Sequence, residues 1–289
     1  MSVNREYKST VFTALFDDKE KLLSLYNAIT GSDFPDDTFV KIATLDDVLF
    51  TDRRNDIAFV LEDKIVILVE HQSTISENMP LRLLIYLARV YEKLIDNEAV
   101  YRRKLLKIPR PDFIVLYNGS EPFPDETTLR LSDAYREFPE ASGAVGGSLE
   151  LEVRVVNINE GRNEDIVRSC ETLDGYVRFI SKIRSYLKSG RALKDAVPQA
   201  VKDCIDEGIL ADFLKAHASE VVNMLTTEWN IDTAREVWTQ EGREEGIDTS
   251  VEIVRALIAK TPLEEIAARC KVSIETIKQL QSVLAMKAS

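Results

Sequence analysis

The hydrophobic pattern of the first 70 residues predicts a helical pair followed by strands. Apolar positions recur at helical spacing through residues 6–30, with a break at Asp17 and Asp18 and an end at Gly31. A weaker extended stretch covers about 40–50. Two runs rich in Ile and Val, 57–61 and 65–69, then predict buried strands, and the polar residues 62–64 between them predict a hairpin turn.

The second part of the pattern predicts one more helix, two more strands and then helices. Residues 79–95 place apolar side chains on one helical face, and these are Leu81, Leu84, Ile85, Ala88, Tyr91 and Leu94. The runs DFIVLYNG (112–119) and LEVRVVNI (151–158) predict strands, with a Gly- and Ser-containing loop at 141–148 between them. Beyond residue 165 the pattern is helical throughout.

This order predicts an α/β (α+β) fold with a mixed central sheet flanked by helices and a helical C-terminal extension. We expect a core over 1–187, a helical extension over 188–240 and a small helical module over 241–289. In that module, TPLEEIAARCKVSIETIKQLQSV predicts two short helices capped by Thr261 and Ser273, an arrangement that resembles a helix-turn-helix. Residues 240–289 hold seven basic and eight acidic residues, so oligomerisation or partner docking is as good an interpretation as DNA reading.

Polar residues stand where the two hairpin strands run out. With a turn at 62–64, residues pair when their numbers sum to about 126, which sets Asp56 opposite Glu70 and points Gln72 to the same face. Two directly opposed carboxylates repel, so a cation, a basic partner or protonation has to compensate. A divalent metal is one interpretation. The other is that the carboxylates end in solvent or pair with Arg53 and Arg54.

Composition narrows the available chemistry. The 289 residues carry a net charge of −12, which argues against indiscriminate coating of nucleic acid, yet residues 79–110 hold eight basic and three acidic residues. Three scattered cysteines and two histidines indicate neither disulfides nor a zinc site. No apolar run approaches the roughly 20 residues of a bilayer helix, and the N-terminus has no hydrophobic leader, so we expect a cytoplasmic protein with no membrane contact.

Several stretches carry a family resemblance. The spacing of Asp56 and the E-x-Q of Glu70 and Gln72 resembles the PD-(D/E)XK nuclease superfamily. The stretches VEHQST, MPLRLLIYLARVYEKL, KIPRPDFIVLYNG and LEVRVVNINEGRNEDI resemble the Rpn family of recombination-promoting nucleases and transposases, from about residue 6 to 214. The resemblance implies a restriction-endonuclease-like core and an Mg²⁺-dependent DNA endonuclease, with Mn²⁺ as a substitute ion.

The resemblance also implies roles for particular residues. Asp56 and Glu70 are the implied metal ligands, and Gln72 replaces the superfamily's usual lysine, which leaves it able to orient a water but without charge for an oxyanion. Glu6 is a candidate for a further acid from the first helix, although a surface acid near a helix start is an ordinary feature. His71 points to the other face in a regular strand, so we expect a packed or hydrogen-bonded residue.

The helix from residue 79 adds a candidate DNA-binding stripe. Arg82, Tyr86, Arg89 and Lys93 recur at helical spacing, which suits either phosphate contact or a solvated face. The leading hypothesis is a DNA endonuclease that hydrolyses phosphodiester bonds in recombination or mobile elements. The C-terminal module is the candidate for a homo-oligomer contact. The alternative is a catalytically weak, nuclease-derived DNA- or protein-binding module in a mobile-element or phage-defence system. A transposase that couples cleavage to strand joining is a third hypothesis.

Overall fold

The computed structural model describes residues 10–42, 56–71, 76–96, 98–136, 148–258, 261–270, 272–278 and 281. Side chains are not described at residues 56, 68–71, 228, 230–248 and 258. By spatial contacts the chain divides into a first unit, Met1–Glu228, and a second unit, Trp229–Ser289. This division does not test the boundaries expected after residues 187 and 240, which stay predictions.

Six strands of the described residues form one mixed sheet in the first unit, in the order β1-β2-β3-β4-β6-β5. The strands are β1 (Val40–Ile42), β2 (Asp56–Leu61), β3 (Lys64–His71), β4 (Arg110–Tyr117), β5 (Glu126–Arg130) and β6 (Glu152–Asn157). The central pairs β3–β4 and β4–β6 are parallel, and the outer pairs are antiparallel. Parallel pairing requires a crossover, which the helix between β3 and β4 provides. The predicted mixed sheet is therefore confirmed.

Helices cover both faces of this sheet. The described helices of the first unit are α1 (Val11–Leu15), α2 (Lys19–Thr30), α3 (Met79–Leu94), α4 (Glu164–Arg168), α5 (Glu171–Lys188) and α6 (Leu193–Asp206). Helix α7 (Ala211–Ile258) begins in the first unit and ends in the second, and α8 (Leu263–Cys270) belongs to the second unit. On one face, α3 packs Leu83 and Val90 against Ile67 and Val115 of the sheet. On the other face, the Tyr26 ring of α2 meets the Phe59 ring of β2 edge to face, with ring centroids 6.3 Å apart. Alternating strand residues thus enter two separate apolar layers.

The buried face of α3 differs from the predicted one. The buried residues are Met79, Pro80, Leu83, Tyr86, Leu87 and Val90, whereas Leu81, Ile85 and Leu94 of the predicted face are exposed. Tyr86 lies in the core, so its assignment to the polar stripe is wrong. Apolar residues surround most of this helix, and the sequence period alone cannot select which face the sheet covers.

The second unit has a small apolar core of its own. Ile253, Ala256, Ile266 and Ile277 are buried together. Helix α8 and the helical residues 274–278 match the two predicted short helices. The Ser273 hydroxyl accepts a hydrogen bond from the Thr276 amide at 3.1 Å, which confirms the predicted cap. The role of the C-terminal module in DNA reading, oligomerisation or partner docking stays a prediction.

Candidate functional site

The β2–β3 hairpin has a different register from the predicted one. The turn contains two residues, Glu62 and Asp63, so Leu61 pairs with Lys64 and Asp56 pairs with Val69. Pairing sums are therefore 125, and the expectation that Asp56 stands directly opposite Glu70 is wrong. Glu62 has a positive φ of 49°, as turns of this length commonly require. The like-charge argument for a metal site loses its geometric basis, and the roles of these residues depend on the family resemblance.

The backbone nevertheless brings both acidic positions to one edge of the sheet. Asp56 begins β2, and its partner Val69 immediately precedes Glu70 near the end of β3. Glu70 pairs with Leu116 of the parallel strand β4, one residue before that strand ends. Crevices outside the carboxyl ends of parallel strands are common ligand sites in α/β proteins. This edge is accordingly the candidate site. Gln72, Glu6, Arg53 and Arg54 lie outside the described residues.

Three asparagines and one arginine form a polar cluster at the same edge. Asn118 directly follows β4, Asn157 ends β6, and Asn159 lies two residues beyond it. The Arg184 guanidinium on α5 donates from Nη1 to the side-chain oxygens of Asn118 at 3.0 Å and Asn159 at 2.7 Å, and from Nη2 to the Asn118 carbonyl. Four separate sequence positions are thereby joined where the parallel strands end, and we call this group the Asn–Arg cluster.

Hydrogen-bond direction fixes the amide orientations in the Asn–Arg cluster. A guanidinium only donates, so the oxygens of Asn118 and Asn159 must face Arg184. The Asn159 amide nitrogen then donates to the Asn157 side-chain oxygen at 2.9 Å, and the Asn157 nitrogen donates to the Phe123 carbonyl at 3.0 Å. Each of these donors meets an acceptor, so the cluster is a directional network that holds the strand ends in place.

One donor in the Asn–Arg cluster remains unmatched. Asn118 is 1% exposed, and its Nδ2 has no hydrogen-bond partner in the described part of the chain. A buried donor without a partner costs about 1–3 kcal/mol. Because the oxygen is held by Arg184, the amide cannot rotate to relieve this cost without breaking a charged hydrogen bond. The position therefore suits an acceptor small enough to be enclosed with it, such as a buried water.

The chain beyond β4 is shaped by a close approach at Gly119. A Cβ at this position would lie 2.4 Å from the Tyr117 hydroxyl oxygen and 2.5 Å from its ring. Tyr117 is held by its own contacts, since its hydroxyl donates to the Glu121 carbonyl at 2.9 Å and its ring packs on Phe123 at 4.5 Å. Only glycine fits here without moving the residue beside Asn118.

The predicted DNA-binding residues occupy different depths on α3. Arg82 and Arg89 are half-buried and Lys93 is exposed. Arg89 also has an interaction within the protein. The three cations are thus a partly buried row rather than an open stripe. Their contact with DNA stays a prediction.

A metal centre is not visible among the side chains that the structure describes. In that part of the chain, no group of three or more His, Cys, Asp or Glu residues is arranged to hold an ion. The side chains of Asp56, Glu70 and His71 lie outside the described part of the chain. The predicted Mg²⁺ or Mn²⁺ site is therefore not tested by this result.

Sequence reasoning missed the Asn–Arg cluster, although a signal was present. Asn118 follows the apolar run FIVLY, and Asn157 follows VRVV, which is apolar except for Arg154; a parallel strand ends at each place. Polar residues at such positions point to one edge of the sheet. Arg184 had no comparable signal because it lies on a helix that carries several other cations.

Comparisons of the whole chain with protein-family models, with curated proteins and with solved structures gave no match. The fold and site define a mixed α/β protein with a polar cluster at the carboxyl ends of its parallel strands. No helix in the described ranges is both long and apolar enough to cross a membrane.

Proposed function

We propose that this chain is a metal-dependent DNA endonuclease that hydrolyses phosphodiester bonds, associated with recombination or mobile elements. The observation that carries the proposal is that the backbone positions of Asp56 and Glu70 lie at the same end of the parallel strands as the Asn–Arg cluster. The order helix, three strands, helix, strand also agrees with the restriction-endonuclease-like core that the sequence resembles.

In this proposal the chain supplies ligands, an anion site and phosphate contacts. Asp56 and Glu70 would hold Mg²⁺ or Mn²⁺, since hard divalent cations prefer carboxylate oxygens. A bound ion would supply activation of water as a nucleophile and neutralisation of charge at the phosphate. Gln72 orients the attacking water. The half-buried Arg184 guanidinium places a positive charge at the same end of the strands, which favours a phosphate oxygen nearby.

The test is cleavage of supercoiled plasmid with Mg²⁺, with Mn²⁺ and with EDTA. Asp56→Asn and Glu70→Gln should each abolish nicking and also the rise in melting temperature that metal binding produces in the native protein. Asp63→Asn is the matched control, because it removes the same charge from the turn at the opposite end of the hairpin. Full cleavage by Asp56→Asn would rule out this site.

Two further variants separate the proposed roles. Gln72→Ala should keep the metal-dependent thermal shift but cleave more slowly. Arg82→Ala combined with Arg89→Ala should weaken DNA binding and flatten its salt dependence, because each phosphate contact contributes about 0.9 to the slope. An unchanged slope would assign both arginines to contacts within the protein.

The second candidate function is a binding module with little or no turnover. The acidic balance of −12 and Gln72 in place of a lysine favour it. DNA binding in EDTA without cleavage in either metal, by folded protein, would select this alternative.

A further inference from the structure

The chain between α3 and β4 is a second basic surface. Residues 98–109, here called the α3–β4 segment, contain Arg102, Arg103, Lys104 and Lys107, all exposed, and Arg110 follows at the start of β4. The ion pair found in the segment joins Arg102 to Asp96 at 3.6 Å, with both side chains more than half exposed. Such a surface pair contributes little, so these cations remain available to a polyanion.

Apolar side chains are interspersed with these cations. Tyr101 is 89% exposed and Leu105 is 75% exposed, and Val100, Leu106 and Ile108 are exposed as well. Exposed apolar residues beside cations mark interaction surfaces rather than ordinary solvated loops. DNA grooves accept such side chains next to phosphate-binding Lys and Arg.

The α3–β4 segment lies at the opposite end of the sheet from the candidate site. Arg110 pairs with Lys64 at the start of β3, whereas Leu116 pairs with Glu70 near its end. Six residues of strand separate the two pairs, which is about 20 Å at about 3.3 Å per residue. The point where the segment enters β4 is therefore about 20 Å from Glu70, which is beyond the reach of one side chain.

Helix α3 connects the two ends. Its 16 residues span about 24 Å, beginning soon after β3 ends and finishing beside the segment. The Tyr91 hydroxyl of α3 donates to the Pro109 carbonyl at 2.6 Å, which fixes the end of the segment against the helix. Arg82, Arg89 and Lys93 thus lie along a path from the candidate site to the α3–β4 segment.

We propose that the α3–β4 segment is a distal DNA-binding element that contacts the phosphate backbone about six base pairs from the reacting phosphate. This inference rests on the proposed function. The distance follows from the separation of about 20 Å and a duplex rise of about 3.4 Å per base pair. Contact with the segment, about 20 Å from the reacting phosphate, would therefore add affinity for DNA that extends beyond the cleavage point.

Other occupants fit the segment less well. Residues 102–109 contain neither helix nor strand, so the segment offers no amphipathic helix to lie in a bilayer surface. A two-fold contact between copies would place the same basic patch against itself, which like charges oppose. A polyanion matches the local charge directly, since residues 79–110 carry five net positive charges within a chain of net −12.

The test measures DNA binding in EDTA by the full chain, using fluorescence anisotropy with hairpin stems of 5 and 12 base pairs. Wild type should bind the longer stem more tightly. The triple variant Arg102→Ala, Arg103→Ala, Lys104→Ala should lose most of that gain, about tenfold or more in Kd at low salt, and its salt slope should fall by about 2–3. The matched control is Lys194→Ala, Lys202→Ala, Lys215→Ala, which removes three exposed lysines elsewhere in the first unit.

The outcomes separate this inference from the proposed function. Equal binding by the triple variant and wild type would overturn the distal element, even in a protein that cleaves DNA. If the triple variant lost binding to vesicles containing phosphatidylserine while its DNA binding equalled that of wild type, the distal element would be overturned in favour of a membrane surface. Length-dependent binding that the triple variant loses would support it, even if neither metal produced cleavage.

Discussion

Replacement of Arg184 by alanine tests whether the Asn–Arg cluster holds the edge of the sheet. The substitution removes the donor to three acceptors, two on Asn118 and one on Asn159. Hydrogen bonds to a charged group contribute about 1.5–3 kcal/mol each. The contributions of these hydrogen bonds are not additive here, because two of the bonds share the Nη1 nitrogen. In the variant, water also occupies part of the space that the half-buried guanidinium leaves. We expect a loss of about 2–4 kcal/mol in the free energy of unfolding, with Arg184→Lys intermediate because one ammonium cannot reproduce the planar fork.

Urea denaturation followed by far-UV circular dichroism is the appropriate assay. Trp229 and Trp238 both belong to the second unit, so tryptophan fluorescence would report the wrong part of the chain. Arg168→Ala is the control, since it breaks only an exposed i,i+4 pair with Glu164 and should cost about 0.5 kcal/mol or less. Arg184→Ala with the stability of this control would refute the reasoning.

The remaining predictions concern the opposite end of the sheet, the thiols and the second unit. Tyr26→Phe removes a hydroxyl that donates to Asp112 at 2.9 Å and accepts from a lysine of β3 at 2.9 Å, so unfolding free energy should fall by about 1–3 kcal/mol, measured by urea titration. Burial raises the pKa of Cys204 from its ordinary 9.0 to about 11, so Cys204 should resist a thiol reagent at pH 8 while half-buried Cys270 reacts. The folded state keeps the Cys204 thiol proton to a higher pH than the unfolded state does. The contribution of this thiol to the free energy of unfolding is therefore complete below pH 9 and declines between pH 9 and about 11. An increase in stability between pH 9 and about 11 would contradict the assignment. Removing residues 241–289 should leave the urea midpoint of the first unit unchanged, and loss of cooperative unfolding would show that the module belongs to the main core.

The strands and helices of the centre followed from local sequence. β2 and β3 have short runs of Ile, Val and Leu, which suit strands buried on both faces, and α3 has a long apolar period with no breaker. These choices depend on residues close together in the chain. They were therefore predictable without knowledge of the rest of the fold.

Strand β5 was missed because its sequence, ETTLR, is mostly polar and three of its five residues are exposed. It is the outermost strand of the sheet next to β6 and is defined by backbone pairing with β6, which requires no apolar run. The hairpin register was wrong by one residue because the turn has two residues rather than three. Turn length depends on backbone geometry that many polar triplets allow.

The sequence alone determined the order of the elements apart from β5, the uneven charge and the candidate acidic positions. Tertiary structure decided which face of α3 is buried, because apolar residues surround that helix and only the sheet selects among them. It also brought Arg184 to Asn118, 66 residues away, and set the basic α3–β4 segment about 20 Å from Glu70. Such relations depend on the packing of distant elements, which no local pattern of residues specifies.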